Sequence, residues 1–288
     1  MTDVNNITEE TWDLEIKPKT GWLQLNLKEV WRYRDLMLLF VRRDFVAQYK
    51  QTILGPIWYL VQPVLTTIMF LLIFTRIAKI PTDGVNPTVF YMTGITIWTY
   101  FSTCLTSTSN TFVSNAGIFG KVYFPRLVTP ISLVISNLIR FGIQFGLLLA
   151  TMTWFSFKGF PINISVYWLF IPVLLLILAG MALGLGIIIS SVTTKYRDFT
   201  VLVGFGMQLL MYATPIVYPM SYLQSTGYGW VIELNPLSPL IEAFRFVLLG
   251  AGTFTMNGLL YSASFTAVLL FLGMVIFNKV EKTFMDTV

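Results

Sequence analysis

The chain is 288 residues long, with 55% hydrophobic and only 11% charged residues, where a soluble domain carries roughly 25% charged. That deficit excludes an ordinary soluble globule, and the complete absence of histidine removes the commonest general base and metal ligand. The net charge of +5 points to membrane lipids rather than nucleic acid, because the basic residues sit beside long apolar runs.

Residues 1–25 read as a polar cytoplasmic leader without the apolar core of a signal peptide. Residues 26–52 read as an amphipathic interface helix. Asn26 stands at its cap position, and Trp31, Leu38, Val41, Phe45 and Tyr49 recur on one face, with Arg43 and Lys50 towards the other. A soluble amphipathic helix would show the same pattern, but this one runs straight into an apolar segment. The stretch 40–63 is therefore an elbow, turning at Leu54-Gly55-Pro56 from a helix lying on the membrane to one crossing it.

Residues 53–288 read as a six-helix transmembrane domain, with spans near 53–74, 89–112, 127–157, 167–192, 200–218 and 258–277. The apolar runs are continuous, which argues against the alternation of a β-barrel. The link 219–257 is too long for a turn and too apolar for a solvated loop. It reads as two short re-entrant helices, about 220–234 and 239–249, dipping in from the outer face. A seventh span would place the tail outside and spoil the charge asymmetry. With both termini in the cytoplasm, every basic residue except Arg76, Lys79, Lys158, Arg245 and Arg140 falls on the inner side. The fold class is thus an all-α polytopic membrane protein with an interfacial helix and two re-entrant gate helices between spans five and six.

The chemistry is sparse. No Gly-x4-Gly-Lys-Ser/Thr loop is present for a nucleotide. Asp83, Asp198, Glu233 and Glu242 fall at or beyond membrane edges, so coupling to an ion gradient has little to work with. Cys104, the single cysteine, lies in an apolar segment and reads as a small packing residue. A membrane glycosyl- or acyltransferase would need a base, a carboxylate pair or a nucleophile that the chain does not offer. Energy must come from another chain, and the inner segments 114–124 and 195–198 are the natural docking places.

Two spans carry polar groups. Thr99, Ser102, Thr103, Thr106, Ser109 and Asn110 cluster in span two beside Trp98, Tyr100 and Phe101. Hydroxyls and aromatic faces suit a passing sugar chain, and small hydroxyl residues equally suit close helix packing. Asn137, Arg140 and Gln144 share a face of span three, either as a pore cation for a diphosphate or acidic sugar, or as a structural arginine. Gly180 and Gly184 form a small-xxx-small pair that marks helix packing.

Four groups of residues, in order along 25–280, carry a resemblance. The elbow supplies Arg43-Asp44, Tyr49-Lys50-Gln51-Thr52, Leu54-Gly55, Trp58 and Gln62-Pro63. After it come Phe124-Pro125-Arg126 with Pro130, then Tyr196-Arg197-Asp198, then Asn235-Pro236-Leu237 with Phe244-Arg245. Together they resemble the ABC-2 type permeases, in particular those exporting lipid-linked polysaccharides such as O-antigen, teichoic acid and capsule. Gln48 departs from the arginine frequent at that place in the family.

The resemblance implies a half-transporter in the bacterial inner membrane. Two copies would assemble with two separate ATPase subunits, which bind the ATP and Mg; this chain would hold no cofactor. Coupling to the ATPase would fall to Arg43, Asp44, Lys50, Asn115, Phe119, Lys121, Tyr123, Phe124, Arg126 and Arg197. A substrate pathway would draw on Trp58, Tyr59, Trp98, Thr99, Phe101, Ser102, Thr103 and Thr106, on Asn137, Arg140 and Gln144, and on Gln208 and Tyr212. Tyr218, Trp230, Asn235, Glu242 and Arg245 would form the external gate. The same fold could instead export a drug or small lipid.

Overall fold

The computed structural model describes residues 27–50, 52–160, 165–196, 198–224, 227 and 229–283. The leader, Asn26, Gln51 and Arg197 lie outside them. Among the described residues all regular structure is helical.

The interface helix comes in two pieces, α1 (Leu27–Arg32) and α2 (Arg34–Tyr49), separated by a turn at Tyr33. Val30, Met37, Phe40 and Val41 face the protein, whereas Trp31 and Leu38, on the apolar face read from the sequence, are 69% and 61% exposed. Both sides of this helix are apolar, so periodicity alone does not say which side meets protein and which meets lipid.

At the elbow Gly55 takes a left-handed φ of +51°, and Pro56 fixes the next residue in a single 3-10 turn, Gly55–Ile57. Span one follows as α3 (Trp58–Phe70), with Pro63 inside it, and ends in a π-helical stretch, Leu71–Ile77. Next comes α4 (Pro87–Ser109). Asn86 caps it by accepting a hydrogen bond from the Thr88 amide at 2.9 Å, and Pro87 sits in the first turn, where an N–H is not needed. Asn110 breaks the helix, and α5 (Thr111–Phe119) turns off it. Thr193 Oγ1 donates to the Ser109 carbonyl at 2.9 Å, and the Phe112 amide donates to Ser190 Oγ at 3.4 Å, so the break is satisfied from a neighbouring helix.

Beyond it run α6 (Val128–Phe157), α7 (Ile171–Thr193) and α8 (Phe199–Tyr212). The expected 220–234 helix is two short pieces, α9 (Met220–Gln224) and α10 (Gly229–Glu233). The second re-entrant candidate, α11 (Leu237–Leu249), is closed by Gly250 at φ +68°, and α12 (Met256–Thr283) completes the chain.

Four segments are long and apolar enough to cross a bilayer: Gly55–Ile77, Val128–Phe157, Val166–Thr193 and Met256–Val280. This is a polytopic membrane protein. The hydroxyl-rich α4 has 23 residues, about 35 Å of helix, while α8 has only 14 residues.

Helix α7 lies between α4 and α12. A Cβ on Gly184 would come within 3.0 Å of the Leu269–Leu270 backbone, and one on Gly180 within 2.9 Å of Thr266. On the other side a Cβ on Gly186 would come within 2.6 Å of Thr108 on α4. Glycines thus bring three helix backbones together, in keeping with the small-xxx-small reading of Gly180 and Gly184. Helix α6 packs on α4, and α2 packs along α6.

Candidate functional site

Three polar or aromatic assemblies lie along the bundle. At the end carrying α2 and α5, five phenylalanines from four parts of the chain meet. Phe40 lies edge-on to Phe124 with ring centroids 5.6 Å apart, Phe119 is 5.7 Å from Phe124, and Phe112 stacks on Phe277 at 4.7 Å. The Arg43 guanidinium lies 4.7 Å from the Phe40 centroid and that of Arg126 lies 5.6 Å from Phe119. This cluster joins α2, α5, the start of α6 and the end of α12 into one body.

Of the residues expected to couple to an ATPase, Asn115, Phe119 and Phe124 are buried within this end of the bundle, with the Asn115 amide donating to the Thr111 carbonyl at 2.9 Å. Asp44 is turned inwards and ion-paired with Arg43 at 2.8 Å. Lys50, Lys121 and Tyr123 are exposed, and so are Val113 and Val122, which composition alone did not single out.

The second assembly follows α4 and α6. Ser102 and Thr103 donate to the Thr99 carbonyl at 3.2 and 2.7 Å, and Thr106 donates to the Ser102 carbonyl at 2.7 Å. Their protons are spent within the helix, leaving only lone pairs outward. Trp98 and Phe101, expected on a passage wall, are instead buried with Tyr100 in the core, where their large rings fill the contact between helices. Asn137 and Gln144 are buried as well. Arg140 is half-buried and lies 5.4 Å from the ring centroid of Tyr59 on α3. Trp58, Gln208 and Tyr212 are exposed, the last two on the free side of α8.

The third assembly is at the opposite end. Arg245 is 1% exposed, and its Nη1 donates to Glu242 Oε1 at 2.9 Å one turn back on α11. Its Nη2 donates to the Ile216 carbonyl at 2.8 Å, and its guanidinium lies 3.7 Å from the Phe90 ring centroid on α4. The second oxygen of Glu242 accepts from the Thr253 amide at 3.0 Å. Glu242 is inside the protein, where Arg245 and this amide compensate its charge.

Asn235 works alongside. Its amide donates to the Ala213 carbonyl at 3.0 Å and to Thr214 Oγ1 at 2.9 Å, while its oxygen accepts from the Leu237 amide. Tyr218 donates to the Tyr212 carbonyl. Ser221 Oγ, 2.9 Å from Asp83 Oδ1, tethers α9 to the loop before α4, a pair that no sequence pattern suggests. Of the gate residues, Trp230 is 62% exposed and Tyr218 is partly open; Asn235, Glu242 and Arg245 fix α11 in place.

Residues 35–249 match the ABC-2 type transporter family. An O-antigen export system permease protein, RfbA, of Klebsiella pneumoniae is 28% identical over 254 residues, covering 88% of this chain and 94% of that protein. The Myxococcus xanthus protein of the same name is 26% identical, covering 91% and 98%. The polysialic acid transport protein KpsM of Escherichia coli is 22% identical, covering 85% and 93%.

Proposed function

The chain belongs to the ABC-2 type transporter family, and we propose that it is the permease subunit of an ATP-driven exporter for a lipid-linked, O-antigen-like polysaccharide. The observation that carries this is the similarity to O-antigen export permeases over nearly their whole length. The cargo moves from the cytoplasmic to the outer face of the bacterial inner membrane, and both termini lie in the cytoplasm. In this reading α4 and α8 cross the membrane too, giving six spans, and α9 to α11 form the outer mouth.

Two copies build the passage. Helices α3 and α8 support this: each packs against the bundle on one side and leaves the other free, with Trp58 on α3 and Gln208 and Tyr212 on α8. Gly204 and Gly206 have open space where a Cβ would stand, which admits a close neighbouring helix or a wide lumen. Two separate ATPase subunits bind ATP and Mg, and they dock on the α5 end at Lys121, Val122 and Tyr123. Force reaches the spans through the phenylalanine cluster, because it unites the docking segment with α2 and α6.

Deleting the chain in its bacterium is the direct test. Surface polysaccharide should disappear while the lipid-linked polymer accumulates inside. Undiminished surface polysaccharide would overturn the reading. The purified permease should also hydrolyse no ATP until a P-loop partner is added.

A further inference from the structure

The side of α2 turned away from the bundle combines two kinds of residue. Leu38, Leu39 and Val46 are 61%, 59% and 47% exposed, and Ile53, just past the helix, is fully exposed. Arg42 and Lys50 stand among them, exposed as well. Among the described residues neither is ion-paired. Arg43 differs from both: it turns inwards, paired with Asp44 at 2.8 Å and 4.7 Å from the Phe40 centroid. Between Lys28 and Lys50 the exposed charges are Lys28, Arg32, Arg34, Arg42 and Lys50 against Asp35 alone. Water favours the cations but not the apolar row, and a protein core favours the reverse.

The level of this face in the membrane follows from its neighbours. Asp44 and Ala47 of α2 lie beside Ser107 of α4 and Arg140 of α6. Arg140 is also 5.4 Å from the ring centroid of Tyr59, at the start of α3. From Arg140 to its end at Phe157, α6 runs about 26 Å, close to the roughly 30 Å of a hydrocarbon core. Arg140 therefore marks the edge of that core, and the end of α2 beside it lies in the headgroup layer. Exposed Ile53 and Ile57 carry the apolar row on into span one. A phospholipid leaflet suits both kinds of residue: its acyl region takes Val46 and Ile53, while Arg42 and Lys50 lay their stems along the row and reach the phosphates. Net charge then selects among lipids, because a zwitterionic headgroup brings its own cation and an anionic one does not. An isologous contact with a second copy would set these cations against their own equivalents.

We infer that the outward face of α2 and the elbow, from Leu38 to Ile53, is a docking surface for anionic phospholipid of the adjoining leaflet, with Arg42 and Lys50 selecting the charge. The inference goes beyond the export reading and does not rest on it. Lys50 meets lipid rather than the ATPase.

The test places one fluorophore on the face. Val46→Cys is labelled with bimane in the full chain, where native Cys104 is buried and stays unlabelled. Leu39→Cys carries the label instead if Val46→Cys lowers the melting temperature. The labelled permease goes into phosphatidylcholine nanodiscs holding equal small fractions of spin-labelled phosphatidylglycerol or spin-labelled phosphatidylcholine. The anionic quencher should dim the bimane more than the zwitterionic one. Arg42→Gln and Lys50→Gln should each reduce that preference about fivefold, the contribution of one basic residue near an anionic surface. Equal quenching by the two lipids would overturn the inference, and so would a preference that both variants leave unchanged. A bimane that neither lipid quenches, but that an added ATPase subunit shields, would make this a protein-docking face and overturn it as well. No step of the test needs transport, so its failure leaves the export reading standing, and continued export after gene deletion leaves the lipid result standing.

Discussion

Replacing Arg245 by methionine, or Glu242 by glutamine, should destabilise the protein far more than loss of a surface ion pair. Both side chains are at most 2% exposed, so neither charge has water to fall back on. Arg245→Met strands the Glu242 carboxylate and orphans the Ile216 carbonyl. Glu242→Gln strands the guanidinium and the Thr253 amide, which a Gln nitrogen cannot satisfy. Breaking a buried pair from one side costs about 3–5 kcal/mol. At roughly 2 °C per kcal/mol for a chain of this size, the melting temperature should fall by about 6–10 °C. The double variant Glu242→Leu/Arg245→Met leaves no bare charge. It should lose about 1–3 kcal/mol for each orphaned backbone group and less than the two single losses added together. The assay is thermal unfolding of detergent-purified protein, at one scan rate and in one detergent. Additive losses, or single variants within a degree of wild type, would refute the view that this pair anchors α11.

Phe124→Ala should lower stability by about 3–5 kcal/mol by opening a cavity in the phenylalanine cluster, measured by the same melts. Lys121→Ala and Tyr123→Ala should leave the melting temperature unchanged and reduce ATPase activity when the partner subunit is added, since both side chains are exposed. Gly186→Val should destabilise by about 1–3 kcal/mol, because its Cβ would lie 2.6 Å from Thr108, and Thr108→Gly should restore part of the loss. Cys104 is fully buried and should resist a maleimide until the protein unfolds, whereas a cysteine placed at Val122 should react at once.

Four of the spans, the first, third, fourth and sixth, were legible because uninterrupted apolar runs of about 20 residues are rare in helices that do not meet lipid. The elbow was legible for a related reason: Gly55 and Pro56 fall where charge gives way to hydrophobicity. The orientation of α2 was not. In water an apolar face must be the inner face, but beside lipid Trp31 and Leu38 are as well placed as Val30 and Met37. The same ambiguity hid the fate of Trp98 and Phe101, which suit a sugar-lined wall and a protein core equally. The hydroxyls of α4 looked available because sequence does not reveal that Ser102, Thr103 and Thr106 bond to their own helix. Glu242 and Arg245 carried a usable signal, opposite charges three residues apart on one helical face, that fixes their mutual contact without reference to the membrane.

The uneven winding of span one has a mechanical consequence. Helices α4 and α7 each run 23 residues in one unbroken winding. Span one passes from a 3-10 turn through an α-helix containing Pro63 to a π-helical stretch, so its hydrogen bonds change reach twice within Gly55–Ile77. Thr66 and Thr67 bond to the carbonyls of Gln62 and Pro63 at 2.9 and 2.7 Å, as the hydroxyls of α4 do to their own helix, so it is the change of winding that sets span one apart. Under a common load such a rod yields before its neighbours, much as a spliced spar flexes at its joints. Any twist delivered at the elbow is therefore absorbed along α3 before it strains the glycine-packed helices behind it.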